Sequence, residues 1–339
     1  MNLKTTYLGL ELDNPLVVSA GPISRSLSGI KRLEDEGAAA VVVYSLFEEQ
    51  VNREIHELDM FLLQGTDSTA EAMEYLPEPS SFQLEPELYV EHIRKAREAV
   101  SIPIIGSLNG VSPGGWLQYA RYIEQAGADA LELNIYFLPT DPLLPPSEIE
   151  EDYLSVLREV RRTVDIPVAV KLAPYFTNVA WLARKLLKEG ADGLVLFNRF
   201  YQPDIDLDAL EVVPRVDLSD SNDLRVALRW IAILRGQTEA SLAATGGVHE
   251  ATDVVKAMMA GADVTMVLAS LLRRGPGHLG TLKADLARWL EEHEYSSLDQ
   301  LKGSMSHANV PQPGVFERAN YVKALNAFPT PGFAQEEGE

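Results

Sequence analysis

The chain has no cysteine in its 339 residues. That absence excludes disulfides, thiolate nucleophiles, iron-sulfur clusters and cysteine-ligated zinc together. Positive charge is also scarce: 29 Lys plus Arg stand against 50 Asp plus Glu, a formal net charge of -21. Such a field repels phosphate backbones and anionic lipid surfaces, so neither nucleic acid nor a membrane is an expected partner. The 6 histidines are scattered without HExxH or HxH spacing, which leaves no recognisable metal motif. No apolar run reaches the ~18 residues that span a bilayer. The start MNLKTTYLGLELDNP lacks the basic-then-apolar pattern of a signal peptide. These absences predict a soluble cytoplasmic protein that works on small molecules, with any redox chemistry carried by an organic cofactor or a non-thiolate metal site.

What the sequence does contain is one recurring phrase, in which a helix ends at Gly, one or two small residues follow, and an apolar strand begins. It appears as EGAAAVVVYS from Glu36, AGADALELNI from Ala126, EGADGLVLFN from Glu189 and AGADVTMVLAS from Ala260. Gly suits the position after a helix, where the backbone turns left-handed. The strands are apolar on both faces, as parallel strands covered by helices are. LVVSAG from Leu16, IPIIGSL from Ile102, IPVAVKL from Ile166 and SLAATGG from Ser241 bring the strands to eight. Apolar residues at helical spacing predict helices over 28–36, 115–126, 148–164, 178–189, 223–235, 250–260 and 279–293. This alternation predicts an α/β fold, a TIM (β/α)8 barrel occupying residues 1–328 as a single domain. Long loops are expected after strand two (45–88) and strand six (199–222), and residues 329–339 read as a disordered tail.

Polar residues at the C-terminal ends of barrel strands face the site. The sequence places Ser19, Tyr44, Ser45, Asn109, Asn134, Lys171, Asn198, the turn Thr245-Gly246-Gly247 and Ser270 there. Lys171, in VAVKLAPYF, is a cation in an apolar strand and needs an anionic partner, which the sequence leaves as a ligand or a neighbouring carboxylate. A Schiff-base lysine is a third use of the same position. The Gly246-Gly247 turn after strand seven, beside Ala269-Ser270 after strand eight, offers bare backbone amides where barrels hold phosphate. Amides at the ends of strands three, four and six suit a heterocycle with alternating carbonyl and N–H groups. Trp230, in LRWIAIL, reads as helix packing, and His249 with Glu250 as a helix start.

Taken in order, NPLVVSAGP, GAAAVVVYS, LELN, VKLAPYF, ATGGV and EYSSLDQLKGSMS resemble the class 1 dihydroorotate dehydrogenase family of FMN-dependent barrels, over about residues 3 to 305. SLAATGGV, LRWIAIL and FERANYVKAL resemble its divergent dihydroorotate dehydrogenase-like branch. The resemblance implies FMN across the barrel mouth, with its phosphate on Gly246, Gly247, Ala269 and Ser270. It implies Lys171 beside flavin N1, Ser45 close to the ring, and Asn134 and Asn198 at the flavin edge and substrate site; Ala20 and Asn109 complete the cofactor set. It also implies a homodimer and leaves the electron acceptor open.

The sequence departs from the family on the substrate side. The proton-accepting Cys or Ser of the family loop falls on Phe137 or Leu138, and the family lysine after strand two falls on Tyr44. Tyr44 is the first candidate for a replacement acid or base, with Lys171 as electrostatic partner and Tyr136 at the substrate. Asp141, Glu48, Glu49, Glu71, Glu74 and Tyr75 are further candidates from the loops. The expected activity is hydride transfer between flavin N5 and a small, cyclic, pyrimidine-like substrate, with reduction of an activated double bond suiting a tyrosine acid. The rival readings are a non-catalytic flavin-binding protein plugged by Tyr136 and Phe137, and a Schiff-base lyase using Lys171.

Overall fold

The computed structural model describes residues 1–52, 85–111, 114–199, 202–213, 217–317 and 321. Eight parallel strands form its centre: β1 (Leu16–Val18), β2 (Ala40–Val42), β3 (Ile104–Gly110), β4 (Ala130–Ile135), β5 (Val168–Leu172), β6 (Gly193–Leu196), β7 (Ser241–Thr245) and β8 (Val264–Val267). Each pairs with its sequence neighbours, and β1 also pairs with β8, so the sheet closes on itself. All eight predicted strands are present, and the fold is the expected (β/α)8 barrel.

A helix follows each strand: α1 (Leu27–Asp35), α2 (Glu85–Ala99), α3 (Gln118–Gln125), α4 (Pro146–Thr163), α5 (Val179–Lys188), α6 (Leu224–Arg235), α7 (Ala251–Ala260) and α8 (His278–Glu292). Gly37, Gly127, Gly190 and Gly261 all take positive φ at the helix-to-strand joints, which explains the repeated phrase. The helix missing from the sequence reading is α2. Its buried Tyr89, Ile93 and Ala96 follow helical spacing, but the charged remainder of the segment merges with the long insertion before it. A short extra helix, Ala269–Arg274, follows β8.

Strand pleating divides the core in two. Outward residues such as Val41, Leu131, Val170 and Leu194 pack under the helices, whereas Val17, Ala40, Ile105, Ala130, Ala169 and Val195 fill the barrel. The floor of the barrel is closed by an N-terminal hairpin, Thr5–Tyr7 paired with Leu10–Leu12, which inserts Tyr7, Leu8 and Leu12. Leu8 N–H donates to Ser241 Oγ and Thr5 Oγ1 donates to the Asp263 carbonyl, both at the N-terminal ends of strands. The opposite, C-terminal mouth is therefore left for a site. Beyond β6 the chain forms an exposed hairpin, Asp204–Asp206 with Glu211–Val213. Most of the expected lid after β2, including Glu71, Glu74 and Tyr75, and the tail at 329–339 lie outside the described residues.

Candidate functional site

Register alone assembles a polar row at the mouth. Asn109 of β3 stands opposite Asn134 of β4, and Asn134 opposite Lys171 of β5. One pleat lower, Ser107 stands opposite Glu132, and Glu132 opposite Ala169. Residues two apart on a strand share a face, so both rows face inward above the apolar filling. Lys171 reaches down from its own row: its Nζ is 3.2 Å from Glu132 Oε1, with side chains 8% and 1% exposed. Of the partners left open by the sequence, Lys171 takes the protein carboxylate. The ion pair engages its nitrogen as a donor and gives Lys171 a partner that requires no Schiff base.

The second amide of the mouth comes from the end of β6. Asn198 is placed by its backbone N–H, which donates to the Leu172 carbonyl, and its Nδ2 donates to Asn134 Oδ1 at 2.7 Å. An amide pair joined through one donor and one acceptor still holds the Asn134 Nδ2 donors and the Asn198 Oδ1 acceptor for a ligand. That is a complementary edge for a ring amide.

Across the barrel, the turn after β7 has two glycines with different surroundings. Gly246 has φ +81° and nothing within 4 Å of a Cβ built on it. Gly247 has φ +87°, and a Cβ there would lie 2.4 Å from the Leu224 nitrogen and 2.9 Å from the Asp220 carbonyl oxygen. The loop before α6 therefore clamps Gly247 and leaves Gly246 open. Gly247 N–H donates to Ser219 Oγ at 3.1 Å, so this amide already has a partner inside the protein. Ser219 Oγ is in turn 3.4 Å from His249 Nε2. Burial holds the His249 imidazole below its ordinary range, reinforced by Arg273, while Asp253 and the Ser219 backbone act in the opposite sense. In the first turn of the short helix after β8, Ser270 Oγ is buried with no partner among the described residues.

One cavity of about 230 Å³ joins the two ends. Lys171 and Asn198, after β5 and β6, line it together with Gly246 and Gly247 after β7, Ala269 after β8, and Ser19 and Ala20 after β1. A bare glycine turn and a cation-bearing wall suit a ligand with a phosphate at one end and a planar ring at the other, while Ser270 and Asn134 stand just behind the lining residues Ala269 and Asn198 and do not themselves line the cavity. The Gly247 amide, already engaged by Ser219, does not fit the expected phosphate cradle. Thr245, expected with the glycine turn, lines the cavity too, as do Arg199, Asp217 and Ser219, which were not foreseen; Arg199 directly follows Asn198 past the end of β6, whereas only the three-dimensional return of the loop before α6 brings Asp217 and Ser219 there.

The remaining expected residues lie elsewhere. Ser45 Oγ is 2.9 Å from Ser107 Oγ, outside the lining. Asn109 is buried in the mouth row but does not line the cavity. Tyr44 packs its ring edge-on against Tyr89 of α2 at 5.1 Å, near His92, with the Arg25 guanidinium 5.5 Å above its centre. Phe137 packs against the outer core and lines a separate apolar recess with Ile149, Tyr153 and Phe176. It therefore turns away from the barrel axis and does not plug the mouth. Tyr136 is half-buried, and Asp141 is exposed, its carboxylate accepting from Leu143 N–H. Glu48 Oε2 accepts from Val111 N–H at 2.7 Å. Trp230 packs on the outer core, as the sequence suggests.

Comparison with known proteins places this geometry. Residues 85–290 match the family described as dihydroorotate dehydrogenase. The catalytic subunit of dihydroorotate dehydrogenase B (NAD(+)) from Thermoplasma volcanium is 26% identical over 318 residues, covering 89% of this chain and 98% of that protein. Its Pyrococcus abyssi counterpart is 26% identical over 311 residues, with coverage of 89% and 98%. The chloroplastic dihydropyrimidine dehydrogenase (NADP(+)) of Arabidopsis thaliana is 24% identical over 326 residues, covering 89% of this chain and 76% of that protein. With a family match across more than half of its length, and relatives aligned over most of it, the chain belongs to the dihydroorotate dehydrogenase family of oxidoreductases.

Proposed function

We propose that the protein is an FMN-dependent oxidoreductase acting on a small, cyclic, pyrimidine-like substrate. The observation that carries this reading is the single cavity linking the open Gly246 turn to Lys171 and Asn198, with Asn198 tied to Asn134. Bound FMN supplies two-electron hydride exchange at its N5 position. The chain's residues hold and orient. Gly246, Ala269 and Ser270 are proposed to receive the phosphate, Gly247 shapes the turn, and Lys171 faces the electron-rich edge of the ring. Asn134 and Asn198 are proposed to read the amide edge of the ring or substrate. The names of the relatives, dihydroorotate and dihydropyrimidine dehydrogenases, support a pyrimidine-like substrate.

True dihydroorotate oxidation is disfavoured by the position of Phe137, which carries no proton-accepting group and packs outward. Tyr44, which stands outside this cavity at the end of β2 with its ring against Tyr89 and under the Arg25 guanidinium, is proposed as the proton donor for the opposite direction, to a substrate that reaches past the lining residues. A homodimer in the cytoplasm, with an unidentified electron partner, completes the proposal. The test is anaerobic mixing of the FMN-loaded protein with dihydroorotate, followed by mixing of the photoreduced protein with unsaturated cyclic amides. Slow bleaching in the first experiment and rapid reoxidation by one of the amides in the second are expected. Rapid bleaching by dihydroorotate would show that no dedicated base is needed.

A further inference from the structure

The cation at the ring end of the cavity is not a free charge. Lys171 Nζ is bound to Glu132 Oε1, and the two side chains are 8% and 1% exposed. Glu132 belongs to the row below, so the ammonium is drawn out of its own level toward the barrel floor. The second carboxylate oxygen, Oε2, is buried with no partner among the described residues. Tyr7 OH, on the plug below, is orphaned as well. Its phenol is pushed up by burial and then by the negative charges of Glu132 and Asp263, so the field of Glu132 reaches the floor. As a stabilising device this arrangement is poor, because a buried pair with an unsatisfied oxygen does no better than apolar residues of the same volume. Its position at the cavity gives it a different use.

We infer that Glu132 is a positioning residue that offsets the charge of Lys171, so that oxidised and reduced flavin are held with nearly equal strength. The inference rests on the proposed function in taking the ligand to be a flavin. Reduced flavin carries a negative charge at its N1 edge near neutral pH. An unopposed ammonium ~5 Å away would favour that form about a hundredfold at an effective dielectric constant of ~20. The carboxylate 3.2 Å from the same ammonium cancels most of that preference. Glu132 thus sets how strongly the protein pulls electrons onto its cofactor, without touching it.

The experiment compares wild type, Glu132→Gln, Glu132→Asp and the double variant Glu132→Gln/Lys171→Met. FMN affinity is measured by fluorescence quenching, and the potential of bound against free FMN gives the ratio of dissociation constants for the two redox forms. Glu132→Gln is expected to raise the preference for reduced FMN about tenfold or more. Glu132→Asp should restore the wild-type ratio. The double variant, a neutral pair of similar volume, should stay within about threefold of wild type. A folded Glu132→Gln protein with an unchanged ratio overturns the inference. If that variant does not fold, a tenfold or greater fall in the double variant overturns it, because Lys171 would then have acted unopposed. Absence of FMN binding by wild type is a distinct result and overturns the proposed function as well.

Discussion

Replacing each of the two adjacent glycines after β7 by alanine separates fold from site. At Gly246 the added methyl meets nothing within 4 Å, so the cost is the left-handed backbone at φ +81°, about 1–2 kcal/mol. At Gly247 the same strain applies, and the methyl lies 2.4 Å and 2.9 Å from backbone atoms of Leu224 and Asp220. Backbone cannot rotate away as a side chain can, so the start of α6 must shift, adding about 1–3 kcal/mol of overpacking. Movement of that loop also breaks the bond from Gly247 N–H to Ser219. Gly246→Ala should therefore lose about 1–2 kcal/mol of stability and Gly247→Ala about 2–5 kcal/mol. Gly246 lines the cavity, so under the proposed phosphate assignment its methyl would intrude on the phosphate, and FMN affinity should fall about tenfold or more in a protein that remains folded. Urea unfolding gives the first quantity and titration by flavin fluorescence the second. Equal stability of the two variants would refute the packing argument, and unaltered FMN affinity in Gly246→Ala would refute the phosphate assignment.

Two further outcomes are expected. Tyr44→Phe should keep the fold and FMN binding while slowing reoxidation of the photoreduced protein by its cyclic acceptor about a hundredfold, measured by stopped-flow absorbance; an unchanged rate removes Tyr44 as the acid. His249 has its folded pKa lowered, chiefly by burial, so the neutral ring is preferred in the native state. Its contribution is complete above the unfolded value of about 6.5 and is lost as pH falls through the lowered folded value. His249→Gln should therefore lose less stability than wild type when urea unfolding is repeated from about pH 7.5 down to about pH 5.

The barrel was legible because its grammar is local. A glycine that must take positive φ, followed by a strand buried on both faces, marks a helix-to-strand joint in any order of elements. The mouth was legible in part for the same reason: Lys171, Asn134, Asn198 and the glycine turn stand at strand ends, and the cavity gathers Lys171, Asn198 and the turn. Glu132 was not recognised, although its place two residues before Asn134 puts it on the same inward face. Its apolar neighbours in LELN disguised an interior charge as ordinary strand polarity. Ser219 and Asp217 were hidden because their approach to the turn depends on the return of the loop before α6, which no sequence period encodes. The direction of Phe137 was hidden in the same way, since a residue just past a strand end is no longer bound by the pleat.

The most direct measurement is the absorbance spectrum of the purified protein together with the stoichiometry of cofactor released on denaturation, followed by titration of the stripped protein with FMN and with riboflavin. One FMN per chain is expected, with riboflavin bound far more weakly because it lacks the phosphate for the Gly246 turn. A colourless protein that binds neither, or that binds both equally well, would contradict the assignment of this cavity.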